Sequence, residues 1–291
     1  MRKLVWVFAM VAAYLLDVPG ARATATTTTA TDDPAAASVQ EGLPFQLGHQ
    51  FLIVVKGTVG GVGPLRLIVD TGSTRSIVTQ SVAKQLGGTK KNAMVLNFNR
   101  QIKVESLTVL EVRIGPIVAR NVTMLVAEPK DDSELFADVD GLIGLDVLLQ
   151  GCDDLRVDYR THRIAFGRLN GRESIPPFRV LTVELTVQGQ PVRLVLDSGI
   201  QNMLLYEDRI HKHCPGIQLS HRRKAREGRL KGTIADVSGI ELAGKEVQMT
   251  AFLVTAPKTL ITDDIDGFVG FSVFQSEMVE LDFRSNVVHW R

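Results

Sequence analysis

The sequence predicts an all-β fold, mostly strands with a few short helices, built as two similar copies in tandem. Three observations lead there. Short runs rich in β-branched residues, among them "FLIVV", "LRLIV", "VTMLVA", "RVLTVELTV" and "VQMTAFLVT", are punctuated by Gly, Pro and polar turns. Three sequence blocks recur in the same order, and their spacing is nearly equal in the two copies.

Taken in chain order, Arg2 and Lys3 precede a 13-residue apolar stretch, Leu4 to Leu16, and the small-residue signature "ARA" ends at Ala23. That is the pattern of a secretory signal peptide at 1–23, cut after Ala23. Spanning a bilayer takes roughly 20 apolar residues as a helix, so no stable membrane anchor is expected, and the mature chain is expected to be exported, periplasmic or extracellular. Residues 24–44 begin "TATTTTATDDPAAAS", lack apolar periodicity and read as a disordered leader.

The first lobe is expected at 45–169 and the second at 178–291, with "NGRESIPP", residues 170–177, as the linker. "PLRLIVDTGS" at 64–73 matches "PVRLVLDSGI" at 191–200, sharing Pro, Arg, Leu, Asp and Gly. "DGLIGLDVL" at 140–148 matches "DGFVGFSVF" at 266–274, and "LRVDYRTHRIAF" at 155–166 matches "VELDFRSNVVHW" at 279–290. The step from Asp70 to Asp140 is 70 residues and that from Asp197 to Asp266 is 69, so the chain is a tandem duplication. Each copy should end in a hairpin turning at "YRTH" or "FRSN". The best helical window is 79–88, "TQSVAKQLGG", with Gly87 as terminator.

Composition supports two ordinary cores: 291 residues, 45% hydrophobic and 22% charged. A net charge of +1 supplies no global field for nucleic acid. The two cysteines, Cys152 and Cys214, either pair in an oxidising compartment or sit apart as buried thiols. "HKHC" at 211–214 with His221 offers metal-ligand chemistry, but no second cluster completes a standard spacing. No metal and no cofactor is expected.

An apolar strand that runs into a carboxylate is costly when the charge is buried alone, by several kcal/mol after relaxation. A twofold axis brings Asp70 and Asp197 to one place. Two adjacent carboxyls share a proton and titrate as a unit; one can take a proton from water while the other gives one to a carbonyl oxygen. Gly72 and Gly199 permit the tight turns, and Thr71 and Ser198 supply short hydroxyls for bonds across the axis.

"VDTGS" and "LDSG", each followed by an apolar-apolar-Gly block ("LIG" at 142–144, "FVG" at 268–270), resemble the aspartic protease superfamily. The chain is similar in particular to retropepsin-like enzymes in a single-chain, two-lobed bacterial form of the gag-polyprotein aspartyl protease type. The resemblance covers about residues 45–291. It implies two similar pepsin- or retropepsin-like lobes related by a pseudo-twofold axis with the active-site cleft between them, Asp70 and Asp197 as catalytic aspartates, and Thr71, Gly72, Ser73, Ser198 and Gly199 as their support. It also implies an exported endopeptidase acting on a peptide or protein in extended conformation, with a monomer sufficing because both halves are present.

Three departures qualify the likeness. Ser73 follows the first Gly but Ile200 the second, so only Asp70 is expected to gain a hydroxyl bond and to be the ionised partner. The first flap, within 94–106, carries Asn97, Phe98 and Asn99 as candidate tip residues and no Tyr. The second flap window, 221–233, is strongly basic: Arg209 to Lys231 holds eight Lys and Arg against Glu227, a net +7 before His. It either overhangs the cleft and favours acidic segments or is a solvated loop. Ile200 and the missing flap Tyr also keep open an alternative, a binding or inhibitory module on the same scaffold with hydrolysis lost.

Overall fold

The computed structural model describes residues 42–127, 136–168, 180–227, 230–242, 244–257 and 264–291. The expected signal peptide, nearly all of the leader and the 170–177 linker lie outside the described residues.

The repeat seen in sequence is a repeat of strand pairing. In the first copy Val62–Val69 runs parallel to Gly141–Ile143, which pairs antiparallel with Ile77–Val78, which runs parallel to Ile117–Val126. In the second copy Gln190–Leu196, Gly267–Val269, Met203–Tyr206 and Lys245–Val254 follow each other with the same senses. Each lobe's sheet then curls back on itself, through Leu52–Val59 with Arg100–Ile114 in one and Thr182–Val187 with Leu230–Leu242 in the other.

These strands are apolar on both faces because both faces are covered. Along Val62–Val69, Leu65, Leu67 and Val69 enter the main core, while Ile68 enters a separate cluster with Leu52, Val54, Ile77 and Leu142. Along Gln190–Leu196, Val192, Leu194 and Leu196 enter the main core, while Val195 joins Leu204, Tyr206, Phe252 and Phe268. The alternation follows from the two-residue period of a strand.

A third sheet joins the copies. The hairpin of Cys152–Asp158 and Arg163–Arg168 pairs with that of Met278–Asp282 and Val287–Trp290. The register places Arg156 opposite Glu280, two positions that the duplication makes equivalent, with Leu155 opposite Leu281 and Val157 opposite Val279. Equivalent residues facing each other are what a twofold axis through that pair produces. Asp158 and Asp282 fix the two turns by accepting backbone N–H bonds from Thr161 and from Arg284 and Ser285. Leu43–Pro44 adds to this sheet against Ile164 and Arg163, two residues ahead of the 45 boundary expected from the sequence.

The expected helix is Gln80–Leu86, capped by Thr79, whose hydroxyl accepts from Val82 N–H, and ended at Gly87 with φ 64°. The short helices Leu145–Gly151 and Glu207–His213 had no periodic signal. No helix among the described residues is long and apolar enough to cross a membrane.

Candidate active site

Both Asp-containing loops leave their strands at one place between the lobes. Asp70 N–H donates to Ile143 O at 2.9 Å and Asp197 N–H to Val269 O at 3.0 Å, so each Asp is set by its apolar-apolar-Gly block. That block must end in Gly because it lies against the loop itself. A Cβ on Gly144 would stand 2.7 Å from Ser73 O, and one on Gly270 would run into the Ile200 carbonyl. Asp140 and Asp266 serve as matched brackets one step further back, accepting from Arg66 N–H (2.8 Å) and Arg193 N–H (3.0 Å).

Thr71 and Ser198 cross-link the loops through four buried bonds. Thr71 N–H donates to Ser198 Oγ and Thr71 Oγ1–H to Leu196 O, both at 3.0 Å. Ser198 N–H donates to Thr71 Oγ1 at 3.1 Å and Ser198 Oγ–H to Val69 O at 2.9 Å. Each hydroxyl is donor and acceptor at once, and each lobe gives and receives the same set.

The carboxyls of Asp70 and Asp197 lie side by side within reach of a shared proton, both fully buried. Asp70 Oδ1 accepts from Gly72 N–H (2.9 Å) and Ser73 N–H (3.1 Å); Asp197 Oδ1 accepts from Gly199 N–H (2.7 Å). Among the described residues neither Oδ2 has a donor. Gly72 is required sterically: a Cβ there would collide with the Asp197 carboxyl.

Burial is the main force raising both carboxyls, Asp197 to about 6 and Asp70 well above its ordinary value, with repulsion from Asp197 adding to the latter. The hydroxyl bond expected from Ser73 to Asp70 is not made: Ser73 Oγ–H donates to Arg75 O at 2.7 Å, and only the Ser73 backbone reaches Asp70. Two N–H donors against one favour the charge on Asp70, while the added repulsion favours it on Asp197. The pair therefore behaves as one diprotic acid, and the proton belongs to the dyad.

Asn97, Phe98 and Asn99 do form the tip of a hairpin, between Lys91–Asn97 and Arg100–Ile114, and that tip reaches the opposite lobe. Tyr206 Oη–H donates to Phe98 O at 3.1 Å, so a tyrosine of the second lobe meets this hairpin tip. The basic hairpin, Leu219–Glu227 with Leu230–Leu242, turns its charge outward: Arg222, Arg223, Lys224, Arg226 and Lys231 are exposed, while Leu230 and Ile234 are buried and Ala225 packs on them. Arg222 pairs with Glu207. The "HKHC" residues diverge: His213 bonds Asp266 at 2.9 Å, Cys214 donates to Pro191 O, and His221 lies exposed beside Asp236. Cys152 and Cys214 are separate, buried, free thiols.

Sequence reasoning passed over Asp146 and Ser76. Ser76 Oγ–H donates to Asp146 Oδ1 at 2.6 Å and accepts Gly144 N–H at 3.0 Å, tying the Asp70 loop to the helix Leu145–Gly151. Burial lifts the Asp146 carboxyl to about 6. Its partner in the second copy is Ser272, so the repeat gave no cue.

A duplicated β lobe, a twofold-related Asp pair and the crossed Thr and Ser bonds together define the retropepsin-like aspartic protease fold, two lobes in one chain. Residues 55–147 match the family model described as Aspartyl protease. Solved structures similar to this chain include a retropepsin-like aspartic protease from Rickettsia conorii, 23% identical over 45% of this chain and 92% of that chain with a TM-score of 0.34. Another is EIAV protease in complex with the inhibitor HBY-793, 12% identical over 35% of this chain and 92% of that chain with a TM-score of 0.27. No curated protein matches the chain.

Proposed function

We propose that the protein is an exported aspartic endopeptidase in which Asp70 and Asp197 activate a water molecule between them. The observation that carries this reading is the pairing of two fully buried carboxyls whose Oδ2 oxygens have no donor among the described residues. Unpaired buried acceptors are costly, and such pairs call for a shared proton or a bound water. The monoprotonated dyad has both functions needed for direct hydrolysis: its carboxylate takes a proton from water as the oxygen attacks the peptide carbonyl carbon. Its carboxylic acid donates to the carbonyl oxygen, and collapse of the tetrahedral diol transfers a proton to the leaving nitrogen. Thr71 and Ser198 are positioning residues, holding the two loops together. The long hairpin strands on either side suit a substrate in extended form. The basic N-terminus, apolar run and "ARA" signature support export.

Rapid quench during hydrolysis of a peptide, read by mass spectrometry of the protein, tests the mechanism: direct attack by water leaves no acyl-enzyme. A trapped acyl-enzyme would contradict the reading.

A further inference from the structure

The duplication supplies its own control for the basic hairpin. Leu219–Glu227 with Leu230–Leu242 holds the same place at the end of its lobe's sheet as Lys91–Asn97 with Arg100–Ile114 holds in the other. In the first lobe that outermost strand carries one cation, Lys91, and the pairing sets no cation opposite another. In the second, Arg226 stands directly opposite Lys231, and Lys224 shares their face, two residues from Arg226. Like charges that face each other across paired strands repel. The fold itself does not ask for them.

The charge is also uncompensated. Lys224, Arg226 and Lys231 are exposed and form no ion pair among the described residues, whereas Arg222 is held by Glu207. Residues 209–231 carry a net +7 in a chain of net +1, so the rest of the protein is net negative and the positive field is local to this hairpin. Ala225, Leu230 and Ile234, on the opposite face, pack into the second-lobe cluster and fix which way the cations point.

Leu219–Glu227 is the last strand of its sheet. Among the described residues no strand lies beside its outer N–H and C=O groups, which form a template for an added strand. Charge that only guards such an edge against pairing has no need of a second cation directly opposite. The exposed large apolar side chains among the described residues, Met94 and Leu110, both belong to the first lobe, so this hairpin offers a bilayer nothing to bury.

We propose that this edge is a docking site for an extended acidic segment of a partner protein, which adds as a further strand and sets carboxylates against Lys224, Arg226 and Lys231. Because side chains on one face of a strand recur every second residue, the segment carries its acids at alternate positions. The site is remote from the dyad: Met203–Tyr206, Lys245–Val254 and Leu230–Leu242 stand between it and Gly267–Val269, the block that holds Asp197. It stands whether or not the dyad cuts peptides.

Two fluorescein-labelled octapeptides of one composition test it, one alternating Glu and Thr, the other with its Glu residues in a single block. Binding is read by anisotropy with the parent protein, with the double variant Arg226→Gln, Lys231→Gln, and with a first-lobe control, Lys91→Gln, Lys103→Gln. The parent should bind the alternating peptide at least about fivefold more tightly than the blocked one, and the double variant should lose at least about fivefold, the scale of two exposed ion pairs. The double variant should melt no lower than the parent, since a facing repulsion is gone. Amide exchange from Arg222 to Arg226 should slow when the alternating peptide binds. Equal affinity for the two peptides, unchanged affinity in the double variant, or an equal loss in the control would overturn the proposal. So would phosphatidylglycerol vesicles or duplex DNA bound at this hairpin in a form that the alternating peptide does not displace. If the double variant melts lower, Lys224→Gln decides: unchanged affinity sinks the idea. Since no bond is cut, failure here leaves the peptidase reading standing, and an inactive protein that binds the peptide leaves the docking edge standing.

Discussion

Thr71 and Ser198, 127 residues apart, each accept the other's backbone N–H on a side-chain hydroxyl, at 3.1 and 3.0 Å. The two aspartate loops are thereby held at a fixed separation. Replacing Thr71 by Val keeps the shape but removes an acceptor and a donor, leaving Ser198 N–H and Leu196 O buried and unpaired. The expected cost is about 2–5 kcal/mol from two orphaned groups, with activity lost; Thr71→Ser should retain most of both. Denaturant melts of the two variants check this, and equal stability would show that the crossed bonds carry little.

Gly72→Ala should inactivate with little rescue from any substrate, because the added methyl occupies space held by the Asp197 carboxyl. A drop in kcat/KM of at least about 100-fold is expected for a displaced catalytic group. Near-parental kcat/KM would mean that the loops separate more readily than their bonds imply.

Asp146 makes stability depend on pH. Its carboxyl holds a proton up to about 6 when folded, against an ordinary value of 3.8 when unfolded. Between those values the folded state binds more protons, so this contribution is full below about pH 4 and is lost as pH rises through about 6. Asp146→Asn keeps an oxygen for Ser76 and removes the loss. It should match the parent at pH 4 and exceed it at pH 7 by up to about 3 kcal/mol. Paired melts at the two pH values decide the point, and a variant less stable at pH 7 would refute it.

The dyad's titration should show in kinetics. Since burial raises both carboxyls, the acid limb of kcat/KM, where the pair first loses a proton, should fall within about a unit of pH 6 rather than in strong acid. A limb below pH 4 would show that the pair is better solvated than its burial indicates.

Both cysteines should be unreactive to thiol reagents until unfolding, and reductant should leave the melting temperature unchanged. Burial raises the Cys152 thiol far from its ionised form, and each thiol already donates to a carbonyl, Leu148 O or Pro191 O. A melting temperature lowered by reductant would indicate a bridge.

Most of the site was legible because duplication writes it twice. Asp70 and Asp197, the glycines and the crossed hydroxyls all follow from matching two short blocks and asking what a twofold axis does to them. What escaped notice was unpaired in the repeat: Asp146 corresponds to Ser272 in the other copy. The direction of the Ser73 hydroxyl depended on a local competitor, the Arg75 carbonyl, that no spacing rule sees. Phe98 was legible as a hairpin-tip residue but its destination was not, since that depends on a contact between lobes. The basic hairpin illustrates the same limit: composition showed the charge, while strand pairing decided that Leu230 and Ile234 face inward and the cations outward.

The most direct measurement is cleavage of a diverse peptide mixture from about pH 3 to 8 by the purified protein, beside Asp70→Asn and Asp197→Asn, with products read by mass spectrometry. The account predicts cleavage by the parent and none by either variant, while both variants melt no lower than the parent because an unfavourable buried acid has been removed. Identical cleavage by parent and variants, or an intact mixture in all three tubes, would contradict it.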